Sequence, residues 1–414
     1  MLATNLTEAL NALVPDRALS TPAELQHLYV ARPSSPLKRL EMLLRSSQDP
    51  QKILFTGHRG SGKTTELAKL SHNLGDQFFI FRYSVIDRLN IYDITYVDVL
   101  LALGLEMFDI AARRKLRLSD ALYAQMLAFT KEVSTTATTA SPFSGEVGGE
   151  INFAIAKLNA RLKIEDQTRK EVREKVSPRL STLLETVDQV ARSIEVETGK
   201  RILAIVEDLD KLDPATAKQL FYDHGSSLGA PRLSIIYTFP IALRHDNNFV
   251  QVRMSFPTTY VLPIFKTRTR SGEINEEAIP RCEEILTRRT ERKLFEPLAI
   301  RTLAEACGGV PRLLIAYARQ ACLEAMVDDK PIIDVSAVET ALRSARRDYE
   351  VLLSRNQITT LKKVHRTKRV DNDEEYRELL HNLSCLEYWN DDVWYDVHPV
   401  VLPLLGADGR RSGS

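Results

Sequence analysis

Nine consecutive residues in the first fifth of the chain have the types and spacing needed to hold phosphate groups. They follow the pattern G-x-x-x-x-G-K-[ST]. Glycines let the backbone turn tightly with its N–H groups pointing inward, and such amides at the start of a helix attract anions. The stretch consists of Gly57, His58, Arg59, Gly60, Ser61, Gly62, Lys63, Thr64 and Thr65. It predicts a site for ATP, with Lys63 reaching the phosphates and the Thr64 hydroxyl placed for Mg²⁺.

Three carboxylates form a second group that could do chemistry. Glu207, Asp208 and Asp210 follow the apolar run of residues 202–206. In an ATPase, one carboxylate at such a strand end holds the Mg²⁺ shell, and another orients or deprotonates the attacking water. A surface turn is the alternative, because Asp and Lys are common turn residues. The phosphate-binding pattern upstream favours the catalytic interpretation.

Strands and helices must bring these two groups together. Short runs rich in branched and aromatic residues are typical of buried strands, and here they alternate with helical patterns. The alternation predicts an α/β fold in which helices sandwich a parallel sheet. The predicted strands cover residues 52–56, 78–85, 201–206, 233–240 and 260–264, and the longest helices cover 93–130 and 166–198. Pro178 should kink or divide the second of these helices.

The composition is typical of a soluble globular protein, with 44% hydrophobic and 27% charged residues. A length of 414 residues predicts two or three domains. The net charge of +1 gives no global case for binding to nucleic acid or to a membrane. The four cysteines lack the C-x-x-C spacing of a zinc site, and no stretch resembles a signal peptide or a membrane span. We therefore expect a reduced, cytoplasmic setting.

The chain divides into four predicted segments. Residues 1–50 form a helical lead-in, and residues 51–266 form the nucleotide-binding core. A flexible insertion is predicted at about 133–165, either as a plain connection or as a partner-sensing element, because residues 134–149 are of low complexity. Residues 267–330 are predicted to be a helical lid, and residues 331–414 a separate unit.

The two motifs resemble those of the AAA+ ATPases. The resemblance is strongest to the initiator branch, which contains the origin-recognition ATPases, and to the related STAND signalling ATPases. It extends over residues 29–325, where residues 57–64 match the Walker A motif and residues 206–208 match Walker B. It implies a P-loop core followed by a helical lid and a winged-helix domain, with ATP and Mg²⁺ as cofactors.

The resemblance also implies roles for individual residues. Thr238, at the end of the next strand, matches the polar residue called sensor 1. Arg312, within residues 308–312, matches the sensor 2 arginine that reaches toward the γ-phosphate, although a surface charge is the alternative. Tyr29 and Val30 would line the adenine pocket, or else pack as ordinary apolar side chains.

The acidic pair departs from the family pattern, which is Asp followed by Glu. Here Glu207 precedes Asp208. Glu207 can still hold Mg²⁺ through water beside Thr64, but Asp208, in the catalytic position, is one methylene shorter than the usual Glu. Because small displacements of a catalytic group change the rate strongly, we predict slow hydrolysis, suited to a switch.

The sequence offers several candidates for an arginine that would reach the nucleotide site of a neighbouring copy. Arg253 follows sensor 1, where the family often places such an arginine finger. Arg244, Arg288 and Arg289 are competing candidates, and each could equally be an ordinary surface charge.

The last segment combines helices with a hairpin, as in a winged-helix domain. Strands are predicted at residues 385–389 and 393–397, with Trp389 and Trp394 as packing partners across the pair. A basic run precedes the last helix and could contact DNA phosphates; it consists of Lys362, Lys363, Arg366, Lys368 and Arg369. Acidic residues of the hairpin would repel DNA; these are Glu387, Asp391, Asp392 and Asp396.

These features together predict an ATP-controlled switch that assembles with itself or with a separate effector protein. No nuclease, protease or other effector constellation stands out, which by analogy points to a bacterial defence or conflict system. The alternative is a DNA-binding initiator or helper ATPase that uses the basic run. A metabolic kinase is disfavoured, because the lid motif and winged helix would have no role there.

Overall fold

The computed structural model describes residues 2–406 apart from residues 34, 120, 123, 125–161 and 390–391. Most of the insertion predicted at 133–165 therefore lies outside the described residues, as does the predicted helical stretch at 125–130. Within the part that is described, no helix is both long and apolar enough to cross a membrane.

A parallel sheet of five strands forms the centre of the first half of the chain. Its strands are β1 (Lys52–Gly57), β2 (Phe78–Ser84), β3 (Arg201–Glu207), β4 (Ser234–Pro240) and β5 (Thr258–Val261). They lie in the order β2-β3-β4-β1-β5, and every neighbouring pair is parallel. The three inner strands are apolar almost throughout, as expected for strands covered on both faces. The predicted α/β fold is therefore confirmed.

Helices cover both faces of this sheet. The helices up to residue 255 are α1 (Leu6–Ala12), which packs elsewhere, and α2 (Pro22–Leu28), α3 (Leu37–Ser46), α4 (Lys63–Leu74), α5 (Val85–Arg88), α6 (Tyr96–Arg113), α7 (Asp166–Val176), α8 (Leu180–Thr198), α9 (Pro214–Lys218), α10 (Gly225–Leu228) and α11 (Phe249–Ser255). Helices α3 and α4 pack on one face, and α6, α7 and α8 contribute to the core on the other. Pro178 divides α7 from α8 through a single 3₁₀ turn, as predicted. Helix α6 is shorter than the pattern indicated, since it ends at Arg113.

A helical bundle follows the sheet. It contains α12 (Ile279–Thr287), α13 (Pro297–Ala306), α14 (Pro311–Val327) and α15 (Val335–Leu352). Helix α1 packs into the same core through Leu6, Ala9 and Leu13, although most other residues of this core lie far from α1 in the sequence. This core also crosses residue 331, where the sequence suggested a new unit; the four segment boundaries stay predictions.

The last unit contains α16 (Arg355–Thr367), α17 (Glu374–His381) and a hairpin of β6 (Cys385–Trp389) and β7 (Val393–Val397). The hairpin appears where the sequence predicted it, but the pairing of its tryptophans was wrong. The antiparallel register places Tyr388 opposite Trp394, and their rings stack 4.3 Å apart. Trp389 lies opposite Val393 instead. Adjacent residues of a strand point to opposite faces, so a one-residue difference decides the partner.

Candidate functional site

The phosphate-binding sequence forms the turn between β1 and α4. Gly60 and Gly62 have φ angles of 76° and 96°, in the left-handed region that glycine enters without steric cost. A Cβ atom at position 60 would also lie 2.6 Å from the Cβ of Arg312. Helix α4 begins at Lys63, so its positive end faces the loop.

A cavity of about 420 Å³ opens over this turn. Its lining includes many of the predicted residues, namely Tyr29, Val30, Arg59, Gly60, Gly62, Lys63, Thr64, Thr65, Asp208 and Arg312. Gly57, His58, Ser61, Glu207 and Thr238 lie behind this surface, and Arg253 is exposed on α11, away from the cavity. The fold thus gathers the core, the lid and the lead-in around one concave site, while it leaves the proposed arginine finger outside.

Lys63 is held inside the protein by three oxygen atoms. Its Nζ donates to the carbonyls of Gly57 and His58 at 2.9 and 3.0 Å, and lies 2.8 Å from a carboxylate oxygen of Asp210. Burial alone would raise the pKa of Asp210, but the ion pair with Lys63 lowers it below its usual range. Asp210 was one of the three candidate carboxylates, but the sequence analysis gave it no role of its own. The only signal for it was its place in the acidic run that follows β3.

Glu207 ends β3 with its two carboxylate oxygens in different situations. Oε1 accepts two hydrogen bonds from Arg82 of β2, at 2.6 and 2.9 Å, and Oε2 is buried with no partner among the described residues. Burial raises the pKa of this carboxyl despite the arginine. The neighbouring Thr64 side chain also acts to lower the pKa of this carboxyl, but by less than burial raises it.

An unpaired carboxylate oxygen beside the Thr64 hydroxyl fits a Mg²⁺ site. Among the described residues no group of three or more His, Cys, Asp or Glu side chains forms a metal cage. Mg²⁺ at a nucleotide site usually takes one or two protein ligands and completes its shell with water and phosphate oxygens. The donors present, Thr64 and Glu207, are of this kind.

Asp208 has an unusual backbone and a satisfied side chain. Its φ angle is 72°, a conformation that Asp tolerates better than most residues. The carboxylate accepts a hydrogen bond of 2.5 Å from Ser84 and lies 2.7 Å from the ammonium group of Lys211. These contacts hold it at the edge of the cavity.

Thr238 links the acidic strand end to the strand beside it. Strand β4 lies between β1 and β3, so its carboxyl end comes between the phosphate-binding turn and the carboxylates. The Thr238 hydroxyl is buried, accepts a hydrogen bond from the Leu209 N–H at 3.0 Å, and bonds to the Asp210 side chain. This placement lets Thr238 fix the carboxylate that contacts Lys63.

Two buried residues that the sequence analysis missed, Arg32 and Glu66, support the phosphate-binding turn. Arg32 donates to the carbonyls of Ser61 and Pro263, and its Nε lies 3.2 Å from Glu66. Glu66 also accepts from the Tyr29 hydroxyl. The arginine therefore joins the lead-in, the phosphate-binding turn and the segment after β5.

The lid reaches the same turn through Arg312. Its backbone N–H donates to the Gly60 carbonyl at 3.2 Å, and its guanidinium forms an ion pair with Asp16 of the lead-in. Arg289 also lines the cavity from the lid, and burial lowers its pKa to about 10. Nucleotide in this cavity would contact both the core and the lid.

The outer side of the phosphate-binding turn contacts the last unit of the chain. The Glu387 N–H of strand β6 donates to Nε2 of His58 at 2.7 Å. An Arg59 guanidinium nitrogen lies 3.4 Å from the ring of His381, at the end of α17. Burial lowers the pKa of His58 to about 4, so the ring is neutral and can accept this hydrogen bond. His58 and Arg59 occupy positions of the motif that any residue can fill, and here they join the phosphate-binding turn to the last unit of the chain.

Glu387 itself is the centre of a buried polar cluster. Its carboxylate lies 2.9 Å from Arg244 and 2.6 Å from His245, both from the turn after β4. It also accepts from the Trp389 indole and, at 3.1 Å, from the Tyr395 hydroxyl. Burial would raise the pKa of Glu387, but these donors lower it well below its usual range.

The predicted basic run is only partly available to a phosphate backbone. Lys363 lies 2.7 Å from Asp371, and Lys368 lies 2.6 Å from the buried Asp396. Arg366 and Arg369 are exposed, and Lys362 is half-buried on α16. The next helix, α17, is acidic at its start and packs against the turn after β4.

The geometry above is that of a P-loop NTPase fold, and comparison with protein families gives the same class. Residues 37–223 match the model described as the KAP family P-loop domain. The match begins at α3 and includes the phosphate-binding turn and the acidic end of β3, but it spans less than half of the chain. None of the curated proteins compared with the chain matches it.

Solved structures of similar shape include Orc1 of Aeropyrum pernix in complex with DNA, at 15% identity and a TM-score of 0.40 over 96% of both chains. Orc2 of the same organism, in its ADPNP–ADP complexes, has 11% identity and a TM-score of 0.43 over 95% of both chains. The RuvB branch-migration motor of Thermotoga maritima has 13% identity and a TM-score of 0.38, over 84% of this chain and 78% of its own.

Proposed function

We propose that this protein is an ATP-binding switch ATPase of the AAA+ type, whose carboxyl-terminal unit responds to the nucleotide bound at the P-loop. One observation carries the proposal: the turn that would hold the phosphates also accepts the hydrogen bond from Glu387 through His58. A change in the backbone of that turn therefore displaces a group on which the hairpin is docked.

Nucleotide binding requires Lys63 to exchange partners. In the described state its charge is compensated by Asp210, and a phosphate group competes for the same ammonium. The turn can then relax around Lys63, because Gly57 and His58 lose the hydrogen bonds that their carbonyls accept. We infer that this change passes through His58 to the hairpin and through Arg312 to the lid.

Hydrolysis is proposed to be slow. Mg²⁺, when bound, supplies charge neutralisation on the phosphate oxygens, and Thr64 and Glu207 are the residues that would hold it. Asp208 is the proposed base, but its carboxylate is engaged by Ser84 and Lys211. A base that must first leave two partners transfers a proton less readily.

The proposal includes a cytoplasmic location, self-association or a separate effector, and a role in defence. Arg253 is the proposed arginine finger, because its exposed position would allow it to reach a neighbouring copy. DNA binding through Arg366 and Arg369 is the weaker candidate function, because other members of the basic run are already paired with carboxylates.

Both tryptophans of the chain lie in the hairpin, at positions 389 and 394. Their fluorescence therefore reports on the carboxyl-terminal unit alone. We expect a non-hydrolysable ATP analogue with Mg²⁺ to change this emission in the wild-type protein, and the Lys63→Ala variant to lose both the change and nucleotide binding. A Lys63→Ala protein that binds ATP as tightly as wild type overturns the proposal.

Turnover separates the two candidate functions. Slow hydrolysis that duplex DNA does not alter, and that Asp208→Asn abolishes, supports the switch. Strong stimulation by DNA that decreases steeply with salt supports the initiator or helper ATPase, since phosphate contacts are salt-sensitive.

A further inference from the structure

A second cavity lies across Arg82 from the proposed Mg²⁺ site. It has a volume of about 330 Å³ and opens at the free edge of the sheet, beside β2. Its walls come from α2, from one side of α4, from β2, and from Arg114 and Lys200. This volume is at the lower end of the range typical of small-molecule pockets.

The charge of this cavity is one-sided. Four of its lining side chains are basic or can become so, namely His72, Arg82, Arg114 and Lys200. Within the described part of the chain, no carboxylate lines this cavity. The chain as a whole has 56 Lys and Arg against 55 Asp and Glu, so the excess is local. Carboxylates next to the lining in sequence are already paired elsewhere, Asp76 with Arg45 and Glu24 with Arg17.

The contacts of Arg114 and Lys200 leave the charges of these two side chains largely uncompensated. Arg114 lies over the ring of Phe79, with 4.7 Å between the guanidinium carbon and the ring centroid. Lys200 donates to the Gly75 carbonyl at the end of α4. A ring and a carbonyl orient a cation but carry no negative charge, so both side chains can still attract an anion. The hydroxyls of Ser20 and Ser71 add donors to the same wall.

We propose that this cavity binds a small anion carrying a diphosphate group, which contacts Arg114, Lys200 and Arg82. Arg82 is the shared residue, because its guanidinium also binds Glu207 and the Thr64 carbonyl. An anion on the second side competes with Glu207 for this arginine. Occupancy therefore changes the carboxylate proposed to hold Mg²⁺, and this coupling, unlike the binding itself, rests on the proposed function.

Binding is tested by calorimetry with inorganic pyrophosphate and, separately, with ADP. The titrations use Lys63→Ala protein, so that the P-loop contributes little and no turnover is needed. In this background we expect Arg114→Gln/Lys200→Gln to weaken binding at least tenfold. The charge-matched control, Lys170→Gln/Arg192→Gln on exposed positions of α7 and α8, should leave binding unchanged. Tighter binding of ADP than of pyrophosphate assigns the diphosphate to a nucleotide, and equal binding assigns it to an inorganic anion.

A second variant distinguishes a loss of anion binding from a loss of folding. Ser71→Asp places a negative charge on the wall without removing any cation, and it should weaken pyrophosphate binding by a similar factor. With Lys63 intact, Arg114→Gln/Lys200→Gln should bind ATP at the P-loop as wild type does. Equal pyrophosphate affinity in the lining and control variants, or no binding of either probe, overturns the inference whether or not the protein is an ATPase.

Discussion

Two glutamates, Glu207 at the end of β3 and Glu387 in the hairpin, are both buried but differ in how many hydrogen-bond partners their carboxylates have. Glu207 uses one oxygen for Arg82, and its other oxygen has no partner in the part of the chain that the structure describes. Glu387 accepts hydrogen bonds on both oxygens, and two of its partners are a cation and a histidine. Burial dominates at the first and raises its pKa, whereas the donors dominate at the second and lower it.

The difference distinguishes a carboxylate proposed to bind a metal ion from one that holds the fold together. A buried carboxylate oxygen that accepts no hydrogen bond costs free energy unless a ligand satisfies it. The neighbouring Thr64 and the P-loop suggest Mg²⁺ as that ligand. A carboxylate that is fully satisfied holds elements together instead. Glu387 joins the hairpin to the turn after β4, while its backbone N–H reaches His58.

Glu387→Gln should have the largest effect on stability. The change removes the negative charge and leaves the Arg244 guanidinium buried beside a neutral amide, and breaking a buried pair in this way costs roughly 3–5 kcal/mol. Urea unfolding followed by tryptophan fluorescence measures the loss in the carboxyl-terminal unit. Glu374→Gln, an exposed change on α17, is the control and should stay within about 0.5 kcal/mol. A loss no larger than that of the control would mean that the cluster does not hold the hairpin.

Glu207→Gln should cost less stability than Glu387→Gln, because the raised pKa of Glu207 means that the fold favours its neutral form. Mg²⁺-dependent ATP turnover should instead fall about 100-fold, or about 2.7 kcal/mol in activation free energy. The matched control is Glu106→Gln, since Glu106 is also buried, pairs with an arginine and has a raised pKa, but lies outside the cavity. Turnover of the control should equal wild type. Equal losses in both variants would contradict the assignment of Glu207 to the metal.

The contact between the P-loop and the hairpin should weaken in acid. The pKa of His58 falls from about 6.5 in the unfolded chain to about 4 in the fold, so the unfolded state binds more protons between these values. Stability from this group is therefore complete above pH 6.5 and is lost as the pH falls toward 4, by about 1.4 kcal/mol at pH 5.5.

The unfolding free energy at pH 7.5 and at pH 5.5, in wild type and in His58→Gln, measures this term. Glutamine can accept the Glu387 N–H without titrating, so its pH dependence should be smaller by that amount. Contributions of other buried histidines, such as His398, cancel in the comparison. An identical pH dependence in the two proteins would remove His58 from the explanation.

Tyr395→Phe should have the smallest effect of the four. It deletes one donor to Glu387 Oε2, which keeps the hydrogen bond to His245, so the expected loss is about 1 kcal/mol. Unfolding followed by fluorescence is again the measurement, and Tyr92→Phe on the exposed surface should change nothing. A loss as large as that of Glu387→Gln would show that the cluster acts all or none.

Much of the fold could be predicted from local patterns. Five of the strands, the division at Pro178 and the hairpin follow from runs of branched and aromatic residues and from turn residues, which act over short distances. The register of the hairpin and the place of α1 in the lid core could not be predicted. Both depend on contacts between residues far apart in sequence, and a short amphipathic helix such as α1 fits many surfaces equally well.

The candidate site divides in the same way. Lys63 and Thr64 occupy the positions that their motif predicts, since the chemistry of phosphate binding fixes both residue type and spacing. Arg32 was missed and Asp210 was given no role, because an arginine before a proline and an aspartate in a turn look ordinary until their partners are known.

The sequence by itself determined that this protein has a P-loop, a parallel sheet and carboxylates at the end of a neighbouring strand, because glycine geometry and hydrophobic patterning are local properties. Only the tertiary structure decided that His58 of the motif faces Glu387, that one oxygen of Glu207 has no partner among the described residues, and that Arg82 lines the second cavity while it binds Glu207. Those outcomes depend on which side chains share a buried volume. Burial decides whether a polar atom has a partner, and no spacing along the chain specifies that.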